Sequence, residues 1–176
     1  MVYAAGILIL TLYNGKYYAL LGKDHYNTYS DFGGKSDFED RNNPIVTASR
    51  EAYEETCGSM FSIDELIIKI QHCDVIPTLS YTNKTYNMYV MFVQYDNLVP
   101  HKFKKVYSYI KHIPYMNKFK EKTEIQWIPL QDILSNKIKL RNIFQKTIDN
   151  HKNTILKIAY KYTSTNTSYN YGRRSV

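Results

Sequence analysis

Residues 30–59 read SDFGGKSDFEDRNNPIVTASREAYEETCGS, and the rest of the chain is organised around this stretch. Asn43 and Pro44 predict the start of a helix, because asparagine is a good N-cap and proline is favoured at the first helical position. Gly58 is placed to end that helix, since glycine readily takes the left-handed conformation found after helix C-termini. The stretch therefore predicts a loop that contains Gly33 and Gly34, followed by one helix.

The predicted helix has an apolar face and an acidic face. Ile45, Ala48 and Ala52 share the apolar face, which suits packing on a sheet. Three glutamates lie on the neighbouring face at spacings i, i+3 and i+4, namely Glu51, Glu54 and Glu55. Carboxylates this close repel each other, and a hard divalent cation, which prefers oxygen ligands, removes the repulsion. The pattern predicts a Mg²⁺ or Mn²⁺ site, with a solvated acidic surface as the alternative.

The same stretch resembles the signature of the Nudix hydrolases, G-x5-E-x7-R-E-U-x-E-E-x-G-U, in which U is an aliphatic residue. The matching positions are Gly34, Arg50, Glu51, Ala52, Glu54 and Glu55. The match covers about thirty residues and includes the whole acidic centre of the motif.

The chain departs from that signature in two places. Asp40 stands where the first glutamate is expected, and nine residues rather than seven separate it from Arg50. Glu39 is the other candidate for this acidic position. Gly58 follows one residue late, because Cys57 holds the usual place of the closing glycine.

The resemblance implies an α/β fold, an α/β/α sandwich with a mixed central sheet and the signature as a loop–helix–loop at one sheet edge. It also implies cleavage of a pyrophosphate bond in a nucleoside diphosphate linked to another group. Mg²⁺ or Mn²⁺ would be held by the carbonyl of Gly34 and by the glutamates 51, 54 and 55. Arg50 would orient a glutamate through a bidentate pair rather than touch the substrate.

The general base is expected either inside or outside the signature. Glu54 is the candidate inside it. Glu121 and Glu124 are the candidates outside it, just before the strand that contains Trp127. The residue types do not choose between these two, and an ordinary surface carboxylate is the alternative for each.

The remaining pattern predicts one domain over residues 1–163 and a flexible basic tail over residues 164–176. Asn14 and Gly15 predict a hairpin between two strands. A capping box at Ser62 and Glu65 predicts a short helical turn. Buried strands are expected over residues 67–75 and 86–95, a short helix broken near Pro114, and a long amphipathic helix from Arg141 to about residue 162.

Charge is divided unevenly along the chain. Residues 1–100 contain 7 Lys and Arg against 12 Asp and Glu, whereas residues 101–176 contain 16 against 4. This division predicts an acidic partner approached from the C-terminal half, and an AT-rich codon bias that favours lysine is the alternative. Lysines of that half are expected to bind the substrate, and they include Lys102, Lys104, Lys105, Lys118, Lys120 and Lys122. Tyr29 and Phe32 are candidates for stacking on a base, and placement in the core or on the surface is the alternative for each.

Capped RNA is the specific expectation for the substrate, because a long anion suits the lysine-rich segment. A small-nucleotide, nucleotide-sugar, dinucleoside or inositol polyphosphate hydrolase is the alternative, and a nucleotide- or RNA-binding module is the non-enzyme alternative. The many Tyr, Asn, Lys and Ile residues indicate an AT-rich genome. Large AT-rich DNA viruses are known to carry decapping Nudix proteins, so a viral source is expected by analogy.

Two cysteines without metal-ligand spacing predict reduced thiols in the cytoplasm, which would be the host cytoplasm for a viral protein. The apolar residues 2–12 are too short to span a bilayer, so no membrane association is expected. The oligomeric state is not indicated.

Overall fold

A seven-stranded mixed sheet forms the middle of this computed structural model, which describes residues 4–80 and 82–171. The strands are β1 (Ala4–Tyr13), β2 (Lys16–Asp24), β3 (Tyr29–Ser30), β4 (Phe32–Lys35), β5 (Asp74–Leu79), β6 (Thr85–Phe92) and β7 (Lys122–Pro129). The helices are α1 (Pro44–Glu55), α2 (Ile63–Ile70), α3 (Val99–Ile110), α4 (Leu130–Leu134) and α5 (Asn142–Tyr171). Two 3₁₀ turns complete the set, at Phe38–Asp40 and Asn117–Lys120.

Strand β1 is the centre of the sheet. One of its edges pairs in parallel with β6. Its other edge pairs antiparallel with β4 along the first half and with β2 along the second half. β7 and β3 both pair with β2, and β5 pairs with β6. The predicted hairpin between β1 and β2 is confirmed, and Asn14 and Gly15 take positive φ angles of 49° and 73° in its turn.

Alternation along β1 divides the core into two layers. Ala5, Ile7 and Ile9 belong to a cluster that includes side chains of α1, α2 and α3. Leu8 and Leu10 belong to the cluster on the other face, which includes side chains of α4 and α5. Successive strand residues point to opposite faces, so both faces of the sheet are covered by helices. The predicted α/β/α sandwich with a mixed sheet is confirmed.

Helix α1 begins as its sequence predicts. The Asn43 side chain accepts a hydrogen bond of 3.0 Å from the backbone N–H of Ile45, and Pro44 is the first helical residue. Ala48 and Ala52 are buried against the sheet. The helix ends at Glu55, where the chain turns through the positive φ angles of Cys57 and Gly58.

The predicted strand over residues 67–75 is wrong at residues 67–73, because α2 continues to Ile70 and β5 begins only at Asp74. The capping box at Ser62 and Glu65 forms and starts a helix of two turns rather than one. Leu66 and Ile70 are buried at the helical spacing i, i+4, whereas Ile68 is exposed. The apolar composition of this run therefore predicts a strand, although its buried positions have the spacing of a helix.

Helix α5 is longer than expected, since it continues beyond residue 162 to Tyr171. Most of the segment predicted as a tail is thus helical, and residues 172–176 lie outside the described part of the chain. Over the ranges that the structure covers, no helix is long and apolar enough to cross a membrane.

Candidate metal and active site

Arg50 of α1 is the centre of a network of carboxylates. Its Nε and Nη2 donate to the two oxygens of Asp40 at 2.9 and 2.8 Å. Its Nη1 donates to Glu51 Oε1 at 2.9 Å and to Glu54 Oε2 at 3.1 Å. Nη2 also donates to the carbonyl oxygen of Lys35 at 2.9 Å. One guanidinium therefore fixes the positions of three carboxylates and of the backbone at the end of β4.

Asp40, rather than Glu39, is the acidic partner of Arg50. Only 2% of Asp40 is exposed, whereas Glu39 is exposed. The Asp40 carboxylate also accepts from the backbone N–H of Asp37 and from Thr47 Oγ1. Burial alone would raise the pKa of Asp40, but Arg50 and these other donors hold it below its ordinary value.

The wider spacing before Arg50 has a structural reason. Asp40 ends a 3₁₀ turn, and Arg41 and Asn42 then take positive φ angles of 51° and 57° before the cap of α1. These two residues reverse the chain, so the Asp40 carboxylate still reaches the guanidinium of Arg50. The two extra residues in the signature thus form a tight corner and leave the pairing intact.

Glu51 lies directly against the backbone of β4. A Cβ atom at Gly34 would come within 2.6 Å of the Glu51 carboxylate, so the carboxylate would have to shift from its position. Burial raises the pKa of Glu51 to about 7, and the Arg50 guanidinium opposes this rise. Gly34 and Glu51 are thus brought together as the resemblance implies.

Glu55 is buried behind Glu51, with 1% of its surface exposed. Its Oε2 accepts a hydrogen bond of 2.8 Å from the backbone N–H of Gly33. Its Oε1 lies 3.1 Å from Nζ of Lys122, although the contact lacks the geometry of a hydrogen bond. Burial raises the pKa of Glu55, and the Lys122 ammonium opposes that rise.

The glutamates of α1 have cationic side chains of the protein as partners. Arg50 Nη1 contacts both Glu51 and Glu54, and Lys118 Nζ lies 3.9 Å from Glu54 Oε1. Within the described residues, no group of three or more His, Cys, Asp or Glu side chains is arranged to hold a metal ion. The donor chemistry of Glu51, Glu54 and the Gly34 carbonyl nevertheless fits a hard divalent cation, since all three groups offer oxygen.

The two candidate bases outside the signature are separated by the structure. Glu121 lies between the 3₁₀ turn that packs on α1 and Lys122, whose Nζ is 3.1 Å from Glu55 Oε1. Its charge contributes to the raised pKa values of Glu51 and Glu55. Glu124 instead forms an ion pair of 3.3 Å with Lys23 on the neighbouring strand and is half exposed. Of the two, Glu121 is the one whose chain neighbour Lys122 contacts Glu55 of α1, whereas Glu124 contacts Lys23.

Two predicted substrate contacts are wrong because the residues are buried. Phe32 is fully buried in the core layer of α1 and cannot stack on a base. Lys122 is only 2% exposed and cannot follow an RNA backbone. Tyr29 remains partly accessible at the sheet edge, where its hydroxyl donates to Gln126 Oε1 at 3.1 Å.

The other lysines fall into two groups. Lys118 and Lys120 belong to the 3₁₀ turn that packs on α1, where the rings of Phe119 and Tyr53 meet at 5.9 Å. Lys118 also forms a 2.7 Å ion pair with Asp37. The second group is on α3, where Lys102 pairs with Asp96 at 2.9 Å and Lys104 and Lys105 are exposed. Among these predicted lysines, ion pairs place Lys118 beside the carboxylate network.

A cavity of about 210 Å³ lies on the other side of Gly33 and Gly34, between the sheet and the start of α5. Its lining combines the apolar Met88 and Phe144 with the polar Asp31, Tyr86, Thr147 and Arg141. The Tyr86 hydroxyl donates to Asp31 Oδ2 at 2.7 Å, and burial raises the pKa of both groups. No motif singles out Asp31 or Tyr86, since only the fold brings them together.

No protein-family model matches the sequence, and no curated protein is detectably similar to it. Solved structures do resemble the fold. An Ap4A hydrolase of C. elegans has a TM-score of 0.55 and 14% identity, over 94% of this chain and 99% of that chain. The NUDIX domain of Shewanella oneidensis NrtR, complexed with ADP ribose, has a TM-score of 0.56 and 11% identity over 88% of each chain.

A third similar structure is a bifunctional NMN adenylyltransferase/ADP ribose pyrophosphatase from Francisella tularensis, complexed with AMP and a Mn ion. Its TM-score is 0.51 at 14% identity, over 88% of this chain and 42% of that chain. Likeness at these identities establishes the fold. The chain has the Nudix fold, with a mixed sheet between helices and the Arg50 network on α1.

The pairing of Arg50 with Asp40 makes a prediction about stability. Replacement Asp40→Asn leaves the partly buried guanidinium of Arg50 without its closest charged partner, so we expect the free energy of unfolding at pH 7 to fall by about 3 kcal/mol. Urea denaturation measures this change. The matched control Glu39→Gln should stay within about 0.5 kcal/mol of the original protein, because Glu39 is exposed.

The pH dependence of that difference has a defined sign. Because the folded pKa of Asp40 is lowered, its contribution is fully present above its unfolded pKa of about 3.9. The contribution is lost as the pH falls through the folded value. The difference in free energy of unfolding between the original protein and Asp40→Asn should therefore become smaller in acid. Equal losses of stability for Asp40→Asn and Glu39→Gln at pH 7 would contradict the assignment of Asp40 as the partner of Arg50.

Proposed function

We propose that this chain is a divalent-metal-dependent pyrophosphohydrolase acting on a nucleoside diphosphate linked to another group. The observation that carries the proposal is the Arg50 network, which holds Glu51 and Glu54 beside the glycine backbone of β4 in a Nudix fold. A helix that served stability alone would not gather acidic side chains of raised pKa at one point.

Different residues of the site would bind the metal, position its ligands and accept the proton of the water. Mg²⁺ or Mn²⁺ held by Glu51, Glu54 and the Gly34 carbonyl would neutralise the charge of the diphosphate and polarise the attacking water. Arg50 keeps the two glutamates in position, since its Nη1 contacts both. Glu121 accepts the proton of the water, and Glu54 is the alternative base within the signature.

The cavity beside Gly33 and Gly34 is the proposed site of the nucleoside. Apolar walls at Met88 and Phe144, together with a few polar groups such as Asp31 and Thr147, are what a planar, hydrogen-bonding base requires. A ligand there would extend its phosphates towards Gly34. The NUDIX domain of NrtR, which was solved with ADP ribose, supports a nucleotide as part of the substrate.

Capped RNA is the proposed substrate within this class. The excess of lysine and arginine after residue 100 supports it, as does the position of Lys118 and Lys120 on the turn that packs against α1. Cytoplasmic action, in a host cell if the chain is viral, would accompany that role. A small-nucleotide hydrolase remains the alternative, and the occupation of Glu51 and Glu54 by Arg50 is the observation that favours a binding module instead.

The first functional prediction concerns catalysis. Purified protein with Mg²⁺ or Mn²⁺ should hydrolyse at least one member of a panel of ADP ribose, dinucleoside polyphosphates, nucleotide sugars, inositol pyrophosphates and capped RNA. Glu51→Gln and Glu54→Gln should each lower kcat at least about 100-fold, because each removes a carboxylate ligand of the cation that would neutralise the diphosphate. The control Glu39→Gln, at an exposed position nearby, should keep the original kcat. Absence of hydrolysis across the whole panel, together with tight RNA binding, would contradict the enzyme and support the RNA-binding module.

The second functional prediction separates the outside carboxylates. Glu121→Gln should lower kcat and flatten the acidic limb of the pH–rate profile, because the proton acceptor is lost. Glu124→Gln is the matched control, two strand positions beyond Lys122, and should leave the profile unchanged. Equal pH–rate profiles for the original protein and both variants would contradict an outside base and indicate Glu54, the candidate within the signature.

The third functional prediction separates capped RNA from small substrates. Charge reversal at Lys118 and Lys120 should raise KM for a long capped RNA and leave a cap dinucleotide nearly unchanged. The logarithm of kcat/KM for the RNA should fall with the logarithm of salt by about 0.7 for each phosphate contact on a single strand. Charge reversal at Lys104 and Lys105 tests whether the RNA extends to α3. Parallel, shallow salt dependence for both substrates would contradict the RNA proposal.

A further inference from the structure

Lys122, the first residue of β7, is a buried lysine inside the glutamate cluster of α1. Its Nζ lies 3.1 Å from Glu55 Oε1 and donates a hydrogen bond of 2.7 Å to Ser30 Oγ. The side chains of Lys122 and Glu55 are 2% and 1% exposed. Two buried charges at this distance depend on each other, because removal of either leaves the other without compensation.

The fold leaves space for the side chain of this lysine. The side chain of Lys122 passes over Gly22 of β2, where an added Cβ atom would lie 2.7 Å from both Cγ and Cδ of the lysine. The pairing of β2 with β7 is irregular between Lys23 and Asp24, and Asp24 stands opposite Lys122. The ammonium is thus positioned by two strands and is not an adjustable surface group.

Glu55 differs from the other two glutamates in its surroundings. Its Oε2 is held by the backbone N–H of Gly33 and its Oε1 by the charge of Lys122. Glu51 and Glu54 share the single Nη1 of Arg50, and 11% and 13% of their side chains are exposed. An incoming cation can therefore reach Glu51 and Glu54 more readily than Glu55.

We propose that Lys122 takes the place of a divalent cation on Glu55, so that metal binds through Glu51, Glu54 and the Gly34 carbonyl while Glu55 is a positioning residue. This inference rests on the proposed metal-dependent function. A fixed ammonium satisfies the carboxylate and repels a second cation at the same oxygen. Glu55 then ties the end of α1 to β4 and β7 and so sets the position of the helix that carries Glu51 and Glu54.

The proposal departs from the simplest interpretation of the signature, in which all three glutamates are metal ligands. It predicts that loss of Lys122 exposes a latent site. In Lys122→Met, Glu55 becomes a buried carboxylate without a cation, and a divalent ion is the partner that could restore neutrality. Metal binding should then become stronger as a result of removing a positive charge from the protein.

The experiment is a titration of the full chain with Mn²⁺ in the absence of substrate, with free Mn²⁺ followed by electron paramagnetic resonance. Glu55→Gln should keep the Mn²⁺ number of the original protein and its affinity within about threefold. Glu51→Gln and Glu54→Gln should each lose at least about tenfold in affinity, the loss typical of a disrupted metal site. Lys122→Met should bind one more ion or bind at least about tenfold more tightly.

Thermal melting supplies a readout independent of the ion count. Mn²⁺ should raise the Tm of Lys122→Met more than that of the original protein, because a ligand that binds only the folded state stabilises it. Lys122→Arg keeps a cation and should behave like the original protein. The double variant Lys122→Met/Glu55→Gln removes both charges, so it tests the proposal even where the single variant folds poorly, and it should return to the original Mn²⁺ number.

Equal losses of Mn²⁺ affinity in Glu55→Gln and Glu51→Gln would overturn the proposal, as would an unchanged titration for Lys122→Met. Failure of the proposed function has a different signature. If the original protein binds no Mn²⁺ but Lys122→Met does, the lysine has replaced the metal altogether, which supports the replacement at Glu55 and contradicts both the metal site at Glu51 and Glu54 and metal-dependent catalysis. Absence of Mn²⁺ binding in both proteins would overturn both.

Discussion

The pairing of Arg50 with Asp40 is the interaction on which the site depends. The bidentate contact anchors the guanidinium from one side, at 2.9 and 2.8 Å, and leaves Nη1 to face Glu51 and Glu54. The same group holds the carbonyl of Lys35 at the end of β4. Because a planar guanidinium fixes the directions of its five donors, the position of Asp40 determines where the glutamates of α1 lie relative to the β4 backbone.

Much of this could be predicted from the sequence, because local signals and local structure agree. The cap at Asn43, the turn at Asn14 and Gly15, and the spacing of the glutamates each specify a feature within a few residues. The topology could not be predicted this way, since the parallel pairing of β1 with β6 joins segments about eighty residues apart. It followed only from the resemblance to the Nudix signature.

The errors have physical causes of a different kind. The run after Ser62 is apolar enough for a strand, and only the burial of Leu66 and Ile70 with Ile68 exposed shows its helical period. Phe32 lies between polar residues and glycines, and its burial depends on the face of β4 that α1 covers. Lys122 stands in a run of surface lysines, and nothing in its neighbours distinguishes it. Its burial requires Gly22 on strand β2, because any larger side chain there would occupy the space of the lysine side chain.

Strand β4 lies between the carboxylates of α1 and the cavity, and it has no side chains at Gly33 and Gly34. Gly34 gives the Glu51 carboxylate room on the side of α1. Gly33 gives the Tyr86 hydroxyl, and through it Asp31, room on the side of the cavity. A Cβ atom at position 34 would displace the Glu51 carboxylate, and one at position 33 would clash with the Tyr86 hydroxyl. The glycine pair therefore does more than allow a turn, since it leaves room for Glu51 on one face of β4 and for Tyr86 on the other, between the proposed cation site and the proposed nucleoside pocket.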